Sequence, residues 1–345
     1  KYISWQECIL LKLHYTHKMS KLNNVCQYQD PEGNHCKGAI DHSGFCYWHD
    51  KNIDKSTDDI KSALELYAHN GGLLRGIQLK NTNLEKIDLV NHHNKVGYDF
   101  SYADFYRANL KGAHLFNINF SHASLMKADL RDANLNYANL QHSNMLGVKW
   151  QGGKFENIKI CQKLSQEYLA KKALKNNDIH LAYDYYQQAE EIYRDLRKHA
   201  EREGIFSLSG DFIQKELTMR RMQLPRYSAK RMSSKLVDIF CGYGEAPLRI
   251  VGFSLFIIVC CAVMYTFTGL SYQGEMFAFD NAASLTENLY LFLSCLYYSV
   301  VTFTTLGYGD FTPIGISRAI AAFEAFTGSF TLALFVVVFV KKMTR

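Results

Sequence analysis

The chain has 345 residues, a formal net charge of +6 and a hydrophobic fraction of 48%. That length exceeds a single hydrophobic core, so a one-domain protein is excluded. The average composition is that of a soluble protein, yet the last hundred residues are far more apolar than the rest, which excludes one solvent for the whole chain.

Residues 1–25 read as an N-terminal helical segment carrying Cys8, His14 and His17. The next stretch is "CQYQDPEGNHCKGAIDHSGFCYWH", in which Cys26, Cys36, Cys46 and His49 stand at C-x9-C-x9-C-x2-H. Three thiols kept reduced in a cytosol, with a closing histidine, suit a tetrahedral zinc ion. Gly33, Gly38 and Gly44 supply turns between these ligands, and His35 and His42 are reserve donors. The spacing resembles small zinc modules with three cysteines and one histidine, unligated buried cysteines being the alternative. The module covers residues 26–50, and a linker helix is expected over 51–70.

From residue 71 to 161 an apolar residue recurs every five positions. Between Tyr98 and Ile160 it falls at 100, 105, 110 and onward to 160, as in "KADLRDANLNYANL". Neither 3.6 nor 2 divides this step, so helix and ordinary strand are both excluded. A small residue often lies two places earlier, for example Ala103, Ala108 and Ala113. This pattern resembles the pentapeptide-repeat family, which implies a right-handed quadrilateral β-helix with 20 residues per coil and both positions pointing inward. Asn and Asp between them suit tight corners, and His114, His122 and His142 are expected at exposed corners. An earlier run at Leu74, Leu79, Leu84 and Leu89 has the same step but is offset by one residue across "NHHNKVGY", where the coil is expected to bulge. Some family members mimic DNA with acidic surfaces. Residues 71–160 carry 11 Lys or Arg against 7 Asp or Glu, which argues against that role and against nucleic acid as a partner.

Residues 162–240 change to helices rich in Tyr, Glu, Lys and Arg. Gly204 marks a helix end and Ser207 or Ser209 the start of the next. Pro225 then precedes a basic amphipathic stretch, 227–240, suited to anionic lipid.

Two uncharged or nearly uncharged runs follow, Ile250–Thr268 and Ala319–Val340, each close to the ~20 residues that cross a bilayer. Basic residues flank the pair on the outside, from Lys215 to Arg249 and at Lys341, Lys342 and Arg345, while the loop between holds Glu275, Asp280, Glu287 and Asp310. The positive-inside rule then places both termini in the cytoplasm and the chain in the cell's inner membrane as a multi-pass protein.

Between the runs lies "SVVTFTTLGYGDFTP", preceded by an apolar stretch, 286–303, too short to span. Non-helical backbone is tolerated at membrane depth only inside protein or against water, so this segment must line a cavity. "TTLGYGD" resembles the selectivity filter of two-transmembrane potassium channels, and the resemblance covers 241–345: outer helix 250–268, pore helix 286–303, filter 305–309 and inner helix 319–340. It implies a filter of Thr305, Leu306, Gly307, Tyr308 and Gly309 in which the carbonyls of the first four, with the Thr305 hydroxyl, replace the hydration shell of potassium ions. One loop gives a quarter of the cage, so a homotetramer is implied. Leu306 stands where the family has Val, and Val301 where some relatives have a Glu that bonds the acid after the filter. Thr304, Asp310, Tyr298 and Glu324 are expected to support the filter, with Tyr298 bracing it in place of the usual Trp. Gly328 matches the family's inner-helix hinge, close helix packing being the alternative. A second "GYG", at 242–244, has no pore helix before it.

No Gly-rich phosphate loop, HExxH or nucleophile elbow occurs, so an enzyme is not expected. The reading is a multidomain chain: a zinc module, a pentapeptide β-helix, an α-helical linker and an all-α two-span tetrameric channel pore domain. It implies a potassium channel whose N-terminal region assembles or regulates it, with a cytoplasmic ligand or protein of unknown identity. A membrane-anchored scaffold with a vestigial pore and a nonselective cation channel stay open as alternatives.

Overall fold

Leu79, Leu84 and Leu89, then every fifth residue from Phe100 to Phe155, have their side chains buried in one continuous core. The backbone shows why five is the step. Two places after each of these residues except Leu89 φ is positive, at Asn81 and Lys86 and then at Tyr102, Arg107, Gly112, Asn117 and every fifth residue on to Asn157. Each left-handed residue turns the chain through a corner. Parallel bridges join residues 20 apart, such as Asp104 with Ser124 and Asn109 with Asp129, so one coil has four five-residue sides. The inward residue donates its N–H to the next coil, as Phe105 does to Ser124 (2.8 Å) and Leu125 to Asn144 (2.9 Å). The small residue beside it, Ala103, Ala108 or Ala128, is fully buried and leaves room for the neighbouring Leu or Phe.

The computed structural model describes residues 25–40, 43–57, 59–280 and 284–344. The N-terminal segment with Cys8, His14 and His17, the reserve donor His42 and the basic Arg345 lie outside the described residues. The chain divides into two compact units, Lys1–Gln223 and Leu224–Arg345.

In the first unit the early run of leucines joins the coil differently from the sequence reading. Gln78, Asn83 and Asp88 bridge residues 26 further on, Asp104, Asn109 and His114. The first coil thus contains six extra residues between Leu89 and Phe100, because counting in fives cannot distinguish an offset of one from an insertion of six. The extra residues leave the coil as a loop closed by Asn117 Nδ2 on the Lys95 carbonyl (2.9 Å). Gly97 brings the loop back, and a Cβ there would lie 1.9 Å from the Asn117 carbonyl oxygen. His122 and His142 do occupy left-handed corners, stacked in one column with Tyr102 at 4.8–4.9 Å, whereas His114 lies on a side.

Helices close both ends of the coil. Helix α1 (Lys61–His69) places Ile60, Leu64 and Ala68 in the core at the start. Helices α2 (Ser165–Lys175), α3 (Ile179–Arg202) and α4 (Phe206–Met222) follow the last coil. From α3, His199 Nε2 donates to the Gly153 carbonyl (2.7 Å) and its ring packs edge-on against Phe155. Asp178 caps α3 by accepting from the Leu181 N–H, and Gly204 with φ +73° ends it. The serine cap expected for α4 is not the one used. That helix starts at Phe206, and Ser209 is buried inside it, donating to Glu201 (3.1 Å). Arg197–Glu216 (2.7 Å) and Arg220–Glu190 (3.1 Å) tie α3 to α4.

The second unit begins with α5 (Ala229–Cys241), capped by Ser228 and ended by Gly242 at φ +55°. The "GYG" at 242–244 is a tight turn whose Tyr243 hydroxyl meets Ser234 (2.8 Å). Helix α6 (Pro247–Thr268) leads to strands β1 (Leu270–Tyr272) and β2 (Glu275–Phe277), then α7 (Leu285–Phe303), β3 (Phe311–Pro313) and α8 (Ser317–Met343). Helices α6 and α8, of 22 and 27 residues, are long and apolar enough to cross a membrane. Ser284 and Glu287 form a reciprocal capping box that starts α7.

Gly97→Ala should therefore lower the stability of the first unit by about 1–3 kcal/mol, as overpacking against backbone does. Deleting 91–96 restores the five-residue step and should cost less than about 1 kcal/mol, since loop length alone is a weak term. Urea denaturation followed by far-ultraviolet circular dichroism checks both, and equal losses would contradict a six-residue insertion in the first coil.

Candidate functional site

After α7 the chain stops being helical at the threonines. Thr305, Gly307 and Gly309 have φ of +58°, +60° and +78°, and the residues between them do not have positive φ. Alternation of left-handed and ordinary backbone turns successive carbonyls to the same side, which an all-ordinary chain cannot do. Glycine adopts this at little cost, but a β-branched threonine at positive φ is a genuine outlier. Thr305 is held there by its N–H on the Thr302 carbonyl (3.0 Å) and its hydroxyl on the Thr304 carbonyl (2.7 Å). Residues 305–310 are all exposed in the single chain, Leu306 and Tyr308 by 59% and 67%. Thr304 continues the helix geometry and its hydroxyl donates back to the Val300 carbonyl (2.7 Å).

The segment after these carbonyls is anchored by a sheet with the order β2-β1-β3. Leu270, Ser271 and Tyr272 pair antiparallel with Pro313, Thr312 and Phe311. Gln273 and Gly274, at φ +53° and +93°, form the two-residue turn from β1 to β2. The sequence reading missed this sheet, although "SYQGEMF" carries its signal, a turn glycine between short apolar runs. It also named Tyr298 as the brace. The structure places the Tyr298 ring against Tyr265 of the outer helix at 5.0 Å, and Tyr297 beside Phe311 (6.2 Å) with its hydroxyl towards the Asp310 carboxylate. One helical step of 100° separates the two faces. Val301 is buried, and its carbonyl accepts from the Leu306 N–H at 3.0 Å.

Glu324 of α8 is fully buried. Its carboxylate accepts from the Tyr265 hydroxyl of α6 (2.7 Å) and from the Ser299 hydroxyl of α7, so one side chain joins three helices. The Ser299 hydroxyl also reaches the Ile258 carbonyl of α6 (2.8 Å). One turn further along α8, a Cβ on Gly328 would lie 2.0 Å from the Phe303 carbonyl oxygen. Gly328 thus lets the inner helix touch backbone at the end of α7, directly before the non-helical segment. At its other end, α8 meets the start of the unit: Val338 packs with Cys241 and Ile250, and Lys341 Nζ bonds Glu245 Oε1 (2.5 Å).

The other cluster lies in the first unit. Cys26, Cys36, Cys46 and His49 are all buried, and their ligand atoms lie within 4.8 Å of one another. Cys36 Sγ to Cys46 Sγ is 3.6 Å, and His49 Nδ1 is 3.2 Å from Cys46 and 3.9 Å from Cys26. Tetrahedral metal–sulfur bonds of ~2.3 Å separate two sulfurs by ~3.8 Å, so these donors fit around one metal ion. His49 Nε2 donates to the Arg75 carbonyl (2.9 Å), which leaves Nδ1 as the ligand atom, and Tyr28 stacks on the ring at 4.1 Å. The bond from Cys46 draws the Cys36 thiol well below its usual range and pushes Cys46 up. Arg75 also binds Asp30 (2.7 Å). Burial works to raise the Asp30 carboxyl, but bonds from Asn34 and Arg75 outweigh it and hold it at about 2. His35 contributes to a bridge with Gln29 and not to the cluster.

Residues 252–345 match the family model of ion channels, and residues 113–149 match pentapeptide repeats in 8 copies. The chain joins pentapeptide repeats to an ion channel domain. Among solved structures, the pentapeptide repeat protein Rfr23 from the cyanobacterium Cyanothece 51142 is 27% identical over 25% of this chain and 58% of its own, with a TM-score of 0.16. HetL from Nostoc sp. PCC 7120, involved in heterocyst differentiation regulation, is 26% identical over 24% of this chain and 51% of its own, with a TM-score of 0.13. The pentapeptide repeat protein alr5209 from Nostoc PCC 7120 is 23% identical over 29% of this chain and 93% of its own, with a TM-score of 0.18. The chain thus spans little more than half the length of the first two. Comparison with curated proteins gives no match. Both matching families are non-enzymatic.

Proposed function

We propose that the ion channel domain is a potassium-selective, homotetrameric pore in the inner membrane, with both termini cytoplasmic. The observation that carries this reading is the alternating backbone at Thr305, Gly307 and Gly309 in a "TTLGYGD" segment behind the short helix α7. Aligned carbonyls of Thr305 to Tyr308, contributed by four chains, form rings whose number and field strength suit a dehydrated potassium ion. The exposed Leu306 and Tyr308 of the single chain are then covered by neighbouring subunits. The sheet and Tyr297 hold the outer end of the filter, while Glu324 and Gly328 hold its base; bending of α8 at Gly328 opens the inner end. The repeats form a right-handed, four-sided β-helix, the buried cysteine cluster holds zinc, and the exposed face of α5 with Met232, Leu236 and Ile239 rests on anionic lipid.

In proteoliposomes the protein should pass potassium at least tenfold faster than sodium, and Gly307→Glu should abolish the current. Equal sodium and potassium flux would identify a nonselective channel, and no flux a scaffold.

One zinc per chain should be found by elemental analysis. Chelation should release Trp48 and Tyr28 from the end of the coil, seen as a fluorescence change, because a segment this polar has little core of its own. Zinc-free protein with Cys26, Cys36 and Cys46 all open to alkylation would rule the site out.

Gating from the N-terminal unit runs through Pro225–Arg249, which the Glu245–Lys341 pair and the Val338 contacts connect to the end of the inner helix. A switch of one to two decades in open probability needs ~1.4–2.8 kcal/mol of coupling. A Gly/Ser spacer after Pro225 should therefore alter open probability in single-channel recordings, and behaviour identical to the intact chain would make the N-terminal unit a passenger.

A further inference from the structure

Where α3 meets the last coils, the first unit has a cleft of about 410 Å³. Arg131 and Lys149 line it from the repeats and Lys198 and Arg202 from α3, with His199 and Asp195 between them. Four cations thus converge from segments more than 45 residues apart in sequence. Their partners leave positive charge over. Asp129 holds Arg131 at 2.6 Å and lies 3.7 Å from Lys149, while no ion pair to Lys198 or Arg202 occurs among the described residues. Asp195 is the one acid in the lining, and burial, with repulsion from Glu191, raises its carboxyl against the pull of Lys198 and Arg194.

Lys198 and Arg202 are four residues apart on one helix face, an arrangement of like charges that weakens a helix unless something anionic lies between them. The helix C-terminus favours a cation in its last turn, which accounts for Arg202. It does not account for Arg131 and Lys149, which come from the coil.

His199 adds an acceptor to the same lining. It is 2% exposed, its Nε2 is used by the Gly153 carbonyl, and its Nδ1 has no hydrogen-bond partner. A buried ring nitrogen without a partner is costly in a folded protein. Trp150, at 26° to the ring and 6.3 Å away, and Phe155 fix the imidazole in place, so Nδ1, the unprotonated nitrogen, is a fixed acceptor that calls for a hydroxyl or amino group and not for a phosphate oxygen.

We propose that this cleft is a binding site for a phosphorylated small molecule of nucleotide size. Its volume lies in the range of small-molecule sites. The Arg202 guanidinium supplies a planar fork that suits phosphate oxygens, Arg131 keeps its Nη1 edge beyond the fork held by Asp129, and two ammonium groups add point charge. The concave shape, confined to one face of two coils, fits a compact polyanion and not a nucleic-acid duplex. A regulatory meaning for such a ligand rests on the proposed channel function; the binding itself does not.

Titration calorimetry of the full chain in detergent, with ATP, pyrophosphate and sulfate as probes, tests the assignment without reference to ion flux. ATP should bind once per chain with a micromolar Kd, pyrophosphate more weakly and sulfate not measurably. The double variant Lys198→Gln/Arg202→Gln, which keeps helix-forming residues, should weaken ATP at least tenfold with the melting temperature unchanged. If that variant is unstable, Arg131→Gln on the coil side should weaken ATP by a similar factor. The proposal is overturned if ATP and pyrophosphate give no binding at millimolar concentration, if the folded variants bind as the parent does, or if sulfate binds as tightly as ATP, which would mean an adventitious ion only.

Discussion

The sign of φ is the constraint on which both units depend. An L-residue in the left-handed region turns the peptide after it away from the direction its neighbours keep, at a cost of roughly 1–2 kcal/mol outside glycine. Placed every fifth residue, such residues fold the repeats into corners. Placed every second residue, at Thr305, Gly307 and Gly309, they alternate with ordinary backbone along one exposed segment. The same local device therefore yields a closed coil in one unit and a short alternating segment in the other, and only the interval differs.

What offsets the cost differs as well. In the coil, non-glycine residues such as Asn81, Lys86, His122 and Tyr137 take the left-handed positions. Each corner is followed by a fully buried side chain, Leu84, Leu125 or Leu140 among them, worth ~1.5–3 kcal/mol of burial. Hydrogen bonds from coil to coil then satisfy every side. Residues 305–310 are exposed and have no such interior, and glycine takes two of the three left-handed positions among them. The third, Thr305, is fastened by two hydrogen bonds of its own chain, which hold the strain at the point where α7 ends.

Much of this was legible in the sequence because it is written in local spacing. The five-residue step, the C-x9-C-x9-C-x2-H ligands and the apolar lengths of α6 and α8 are all properties of residues counted along one chain. What stayed hidden depends on partners far away in sequence. The insertion near "NHHNKVGY" was indistinguishable from a one-residue slip until Gln78 was seen opposite Asp104. The choice between Tyr297 and Tyr298 turned on which helix face meets Phe311 and which meets Tyr265. Ser209 has the right chemistry for a helix cap, yet burial against Glu201 drew it inside the helix. Glu324 was conspicuous as an acid in an apolar run, but its two hydroxyl partners, 59 and 25 residues away, could not be read from the run itself.

Those partners make the inner helix a beam with two supports. Near its start it is fixed sideways by Glu324 to two other helices and pressed by Gly328 onto the Phe303 carbonyl; near its end it is fixed by Val338 and Lys341 to the segment that enters the outer helix. Ten residues separate Gly328 from Val338, an unsupported length of ~15 Å at 1.5 Å per residue. A short beam held at both ends is stiff against bowing in its middle. A large displacement of its middle therefore requires one support to let go, and the two differ in kind: that at Glu324 and Gly328 is buried and shared by three helices, while that near the end joins the Val338 packing to an ion pair within reach of water, open to salt and to anything that competes for Lys341.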